Sequence, residues 1–123
     1  MSDLAGVGRA GEKQAERFLK RSGYRIVTRN YRCDGGEIDL VALDGKTIVF
    51  VEVKTRSGDE HADPQDAVTS EKQRRVIRAA KAFIQQTHSQ GRSCRFDVVA
   101  ITLAGKKTAC IEHFRNAFSP NDS

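Results

Sequence analysis

Glu37-Ile38-Asp39-Leu40-Val41-Ala42-Leu43, then Asp44-Gly45, then Lys46-Thr47-Ile48-Val49-Phe50-Val51-Glu52-Val53-Lys54-Thr55 is the stretch on which the fold depends. Two runs rich in β-branched and aromatic residues flank an Asp-Gly dipeptide, which accepts the positive φ of a tight hairpin loop. With Asp44-Gly45 as a two-residue loop, Leu43 pairs with Lys46, Asp39 faces Phe50 and Glu37 faces Glu52. Directly paired residues share a sheet face. Ile38, Leu40 and Ala42 then join Val49, Val51 and Val53 on one wholly apolar side. The other side carries Val41, Leu43, Ile48 and Phe50 toward the turn, and Glu37, Asp39, Glu52 and Lys54 toward the open end. A sheet that is apolar on both faces must be covered on both, so helices should pack around it.

The flanking sequence supplies those helices. Leu4, Val7, Ala15, Phe18 and Leu19 form a helical stripe with Ser2 or Asp3 available as cap. Gly6, Gly8 and Gly11 interrupt it, each costing about 1 kcal/mol against Ala in a helix interior. Either the helix starts late, or the glycines admit something close to its backbone. Tyr24 to Arg32 reads as a first strand after Gly23, and Asp34-Gly35-Gly36 as a turn. Beyond the hairpin, Ser57 to Asp66 is a polar loop. Ser70-x-x-Gln73 resembles a capping box, and Gln73, Val76, Ile77, Ala80, Phe83, Ile84 and Thr87 mark one face of a second helix reaching about His88. Arg95 to Ile101 and Ala109 to Phe114 read as strands around a turn at Ala104-Gly105-Lys106. The expected fold is α/β, a central mixed β-sheet of four or five strands flanked by helices in the order α-β-β-β-α-β-β. Residues 1–118 form a single domain in this reading, and 119–123 a polar C-terminal tail.

A chain of 123 residues suits one domain with a real core. Its 38% hydrophobic and 30% charged residues are those of an ordinary globular protein, and exclude the disordered and fibrous classes. The net charge of +5 favours polyanionic partners. Cys33, Cys94 and Cys110 are odd in number and widely spaced, which indicates neither a disulfide framework nor a zinc site and fits a reducing compartment. The start has no basic, apolar leader pattern, and no run is long enough to span a bilayer, so the expected location is cytoplasmic. His61, His88 and His113 lack metal-ligand spacing, and no glycine-rich phosphate loop is present.

Three carboxylates and a lysine at one end of an apolar sheet face need compensation, because like charges opposite one another destabilise a strand pair. A divalent cation such as Mg²⁺ or Mn²⁺ would provide it through hard oxygen ligands from Asp39 and Glu52. Lys54, two residues beyond Glu52 on the same face, could orient or deprotonate an attacking water, or offset transition-state charge. The plainer alternative is a solvated strand end with Glu52 and Lys54 paired. Lys72, Arg74, Arg75, Arg78 and Lys81 give the second helix a basic face, with Lys72 nearest the acidic centre. It is either solvated or a phosphate-contact ridge of Lys72, Arg75 and Arg78. Arg56 is another phosphate-contact candidate, with a salt bridge to Asp97 as its alternative. Asp97 itself, in an apolar strand, reads as a buried structural carboxylate.

Asp39 followed by Glu52-Val53-Lys54 on the next strand, with helices before and after, resembles the PD-(D/E)XK nuclease superfamily, which includes restriction enzymes and archaeal Holliday-junction resolvases. Gly8-x-x-Gly11-Glu12, Asn30-Tyr31-Arg32, Gly36 to Leu40, Phe50 to Arg56, Ala67-Val68-Thr69-x-x-Lys72 and Arg95 to Val99 together resemble the bacterial YraN family of nuclease-like proteins, over nearly the whole chain. The resemblance implies a restriction-endonuclease-like fold. It further implies that Asp39 and Glu52 bind metal, that Lys54 is catalytic, and that Glu12 on the first helix completes the site; Glu37, from the same acidic strand end, is expected to support it. Ile38 stands where the superfamily's name has Pro.

The expectation is therefore a Mg²⁺- or Mn²⁺-dependent endonuclease that hydrolyses phosphodiester bonds in DNA, branched DNA included, or in RNA. The alternative is a non-catalytic nucleic-acid-binding protein on a nuclease fold, and a third option is a protein-interaction subunit. Nucleic acid is the expected partner, DNA ahead of RNA, with no membrane and with a homodimer as an option.

Overall fold

The computed structural model describes residues 3–57 and 68–120, with the side chains of 3–9 and of Ala109 outside the description. The loop read over Ser57 to Asp66 therefore lies, past its first residue, outside the described residues. The elements run α1 (Asp3–Arg21), β1 (Arg25–Cys33), β2 (Gly36–Asp44), β3 (Thr47–Ser57), α2 (Ser70–Gln86), β4 (Cys94–Ala104) and β5 (Lys107–Phe118). This is the expected order. The five strands form one sheet in sequence order, antiparallel except for β3 against β4, which are parallel and joined through α2.

Among the described residues, one helix covers each face. On one face Val76, Ala80 and Phe83 of α2 pack with Val41, Ile48, Phe50, Phe96, Val98 and Phe118, the rings of Phe50, Phe96 and Phe118 stacked at 5.4 and 5.2 Å. On the other face Ala15 and Leu19 of α1 pack with Tyr24, Leu40, Ala42, Val49, Val51, Val99 and Ile101. The α1 glycines stay in the helix. Gly11 shows why one is needed: a Cβ there would sit 2.4 Å from Thr55 Oγ1 on β3. Gly36 does the same for α2, whose backbone at Arg75 and Ala79 would lie 2.5 and 2.8 Å from an added Cβ.

Two local expectations are corrected. The capping residue of α2 is Thr69, which takes an extended conformation and accepts from Lys72 N at 3.2 Å, so Ser70 is the first helical residue. The Gln73 side chain instead donates to Val68 O at 3.0 Å.

The hairpin register is also different. Asp44 pairs with Thr47 and Leu43 with Ile48, so the central loop residues are Gly45 and Lys46 rather than Asp44 and Gly45. Gly45 alone takes a positive φ, +60°, as a loop with glycine in its first central position requires. Pairing therefore slips by two residues, which leaves every side chain on its expected face near the turn but places Asp39 opposite Glu52. Glu37 instead pairs in register with Arg32 of β1.

Farther from the turn the face pattern itself changes. Leu40 packs under α1, yet Ile38, two residues earlier, packs under α2, and so does Tyr31, while Arg29 reaches toward Glu16 of α1. The pairs Arg29↔Leu40 and Tyr31↔Ile38 thus point to opposite faces. Between them lies Asn30, whose φ of +51° is the left-handed conformation that Asn tolerates better than other residues with a Cβ. The expectation that Ile38 shares a face with Leu40 fails at this twist.

Candidate functional site

Asp39 sits at the twist, beside the last regular β2–β3 pair, Leu40↔Val51. There the two carboxylates take over the strand pairing. Asp39 N donates to Glu52 Oε2 at 3.1 Å, and Val53 N donates to Asp39 Oδ2 at 2.8 Å. Each acid thus accepts a backbone N–H that a diverging ladder would otherwise leave unpaired. Glu52 is 1% exposed, a rare condition for a glutamate. Its other oxygen, Oε1, is buried without a hydrogen-bond partner; Lys72 Nζ approaches at 3.8 Å, an ion-pair distance too long for a hydrogen bond. Burial above all, and then the Asp39 charge beside it, push the Glu52 carboxyl up to about 9.

The other expected members divide. Lys72, read as the helix residue nearest the acids, is the one that reaches Glu52. Lys54 follows Glu52 on the unbroken β3–β4 ladder and so shares its face; it is half-buried and makes no ion pair with any described residue. Glu12 of α1 is close enough to feel Asp39: burial first, and then that charge, raise its pKa, while the neighbouring Asn30 amide lowers it. Glu37 is drawn away, with Arg75 at 3.5 Å and Arg32 at 3.7 Å. Arg78 lies over Gly35 at the β1–β2 turn. Arg56 does not meet Asp97. It donates to Thr102 at 3.1 Å and pairs with Glu112 at 3.5 Å across β4.

Asp97 is fully buried and satisfied: it accepts from Arg95 at 3.1 Å and from Asn116 N at 2.9 Å, and meets His113 Nε2 at 2.7 Å. Burial pushes its pKa up, but His113, the Asn116 amide and Arg95 together hold it below the usual carboxylate range. It is a structural carboxylate, as its apolar strand suggested. The residue that sequence reading missed is Asn30. Its one signal was an asparagine in a strand of β-formers, a type that tolerates the left-handed conformation.

Among the described residues the fold and site define a class: a five-stranded mixed sheet between two helices, with a buried glutamate and a half-buried aspartate paired where two central strands part. The match to known proteins makes this specific. The family model described as "Uncharacterised protein family UPF0102" matches residues 11–101. A UPF0102 protein of Geobacter metallireducens is 50% identical over 112 residues, 91% of each chain. One from Symbiobacterium thermophilum is 53% identical over 95 residues, covering 77% of this chain and 80% of its own. One from Desulfosudis oleivorans is 46% identical over 114 residues, 93% and 90% of the two chains. The chain belongs to the UPF0102 family, the YraN family that its motifs resemble. No helix among the described residues is long and apolar enough to cross a membrane.

Proposed function

We propose that this protein is a metal-dependent nuclease of the PD-(D/E)XK type, acting on phosphodiester bonds in DNA or RNA. The observation that carries this reading is the Asp39–Glu52 pair: two carboxylates held together, Glu52 buried with an orphaned oxygen and Asp39 half-buried beside it. An ordinary fold would gain by replacing them, since a buried charge costs several kcal/mol unless it is paired and hydrogen-bonded.

The residues fit a hard divalent cation. Among the described residues no three His, Cys, Asp or Glu side chains converge to enclose an ion. Mg²⁺ and Mn²⁺ ask for less: one or two carboxylates, with water and substrate phosphate completing the shell. Asp39 and Glu52 would hold the ion, Glu52 giving up its proton as it binds. Such an ion would supply positive charge against the phosphoryl oxygens. Lys54, on the face of Glu52 and without a described ionic partner, is free to meet charge developing on the phosphorus-bound oxygens or to orient the attacking water. Lys72 already offsets Glu52 and lies where a phosphate would arrive. Glu12, whose pKa burial and the Asp39 charge raise, is the further carboxyl group near Asp39 that could support the site.

The test is incubation with single-stranded, duplex, flapped and four-way-junction DNA and with RNA, in Mg²⁺ and in Mn²⁺, beside Glu52→Gln and Lys54→Ala. Cleavage by the parent that both substitutions abolish is expected. Binding of nucleic acid without cleavage of any substrate would leave a binding module on a nuclease fold.

A further inference from the structure

A cleft of about 500 Å³ opens between α1 and β1, next to the acidic pair. Glu12 and Asn30 line the end beside Asp39, Leu40 contributes an apolar wall, and Lys13, Arg17 and Arg29 surround the rest. Two of these cations are uncommitted: Lys13 and Arg17, one turn apart on α1, are exposed and make no ion pair with a described residue. Arg29 is the opposite case. Glu16 holds its guanidinium at both ends, Nε at 2.5 Å and Nη2 at 2.8 Å, and Lys20 steadies Glu16 from the next turn at 3.0 Å. The bond to Arg29 leads in holding the Glu16 carboxyl down to about 2. Arg29 therefore presents a fixed flat plane whose charge is already matched, which suits stacking better than phosphate capture.

These features match the parts of a nucleotide. The volume is in the range of small-ligand sites, a planar guanidinium is a surface on which unstacked bases rest, and two free cations one turn apart suit a phosphate. A continuous duplex offers no such base, since its bases remain stacked inside unless extruded. Resting on the nuclease reading above, we infer that this cleft binds one unpaired nucleotide adjoining the phosphate at Asp39 and Glu52, its base on the Arg29 plane and its phosphate toward Lys13 and Arg17. The substrate is then a single strand, a flap or a frayed end.

The test is fluorescence anisotropy of the full chain, in EDTA so that nothing is cut, with a short labelled single strand, its all-abasic counterpart and a blunt duplex of the same sequence. The single strand should bind at least about tenfold tighter than the duplex. The double variant Lys13→Gln, Arg17→Gln should lose about tenfold for the single strand and flatten its salt slope by roughly 0.7, the value for one lost phosphate contact. Arg29→Lys keeps the charge and loses the plane, so it should weaken the normal strand several-fold and leave the abasic strand unchanged; a merely structural role would affect both strands alike. Equal affinity for duplex and single strand, or variants that bind every probe as the parent does, overturns the inference. If the parent also cuts duplex in Mg²⁺, the cleft alone is refuted and the nuclease stands. If no probe binds, the cleft is refuted, and cleavage in Mg²⁺ or Mn²⁺ decides the nuclease reading separately.

Discussion

Replacing Glu52 by Gln separates a metal site from a structural ion pair, because the two call for opposite signs. At pH 7 the metal-free folded chain keeps a proton on Glu52, pushed up from 4.5 to about 9, that the unfolded chain releases. Retaining it costs about 3 kcal/mol, at about 1.36 kcal/mol per pH unit. Since the folded value lies above the unfolded one, the contribution of this group to stability is complete only below about pH 4.5 and is lost as pH rises toward about 9. Gln keeps an oxygen to accept Asp39 N–H but has no proton to hold. In EDTA, Glu52→Gln should match the parent near pH 4.5 and exceed it by up to about 3 kcal/mol at pH 7, on the order of 10 °C in Tm for a chain of this size. Mg²⁺ closes most of that gap: at a hundred times Kd it adds about 2.7 kcal/mol to the parent and nothing to the variant. Calorimetry of both proteins at pH 5 and 7, with EDTA and with Mg²⁺ or Mn²⁺, reads these differences directly. A variant less stable than the parent in EDTA at pH 7, together with a parent Tm indifferent to either metal, would refute the metal-site reasoning.

Gly36→Ala should destabilise the chain by about 2–3 kcal/mol in urea titration, since its Cβ meets the α2 backbone rather than a yielding side chain; an unchanged midpoint would mean that α2 is not held against β2. Asp97, held below its ordinary range by His113, Asn116 and Arg95, contributes stability above about pH 4 that disappears as pH falls through its depressed value. Asp97→Asn should therefore be destabilised at pH 7 and lose little more on acidification, and parallel acid-unfolding curves for the two proteins would contradict this. Neutralising Lys72, Arg75 or Arg78 should weaken duplex binding irrespective of sequence and flatten the plot of log affinity against log salt by about 0.9 each; three unchanged slopes would return α2 to a solvated face.

The element order was legible because hydrophobic period and turn residues change together along this chain, from the α1 stripe to the β-branched runs and back at α2. The pairing of Asp39 with Glu52 was only half legible. Asp44-Gly45-Lys46 offers two adjacent choices of central dipeptide, and the loop formed with glycine first rather than second, a distinction of one residue in the turn and two in the register. Because two is the period of a strand, the slip left the side chains near the turn on their expected faces. The exchange of faces at Ile38 had no periodic signal at all, since it arises from one left-handed residue, Asn30, in the neighbouring strand. Likewise the capture of Glu37 by Arg75 and of Arg56 by Glu112 depends on distances across the fold that spacing along the chain does not encode.

The exchange of hydrogen bonds between Asp39, Glu52 and the amides of the opposite strand bears on how activity in related chains should be diagnosed. Both acids terminate the β2–β3 ladder, so a descendant that had abandoned catalysis would still have reason to retain an acceptor at each position. Asn and Gln would meet that need without the like charges, so replacement by these amides would be a quiet way of losing an enzyme, with the architecture preserved. Lys54 carries no such duty toward a described ionic partner. Among relatives of this protein, the lysine two places after the glutamate is the more informative witness.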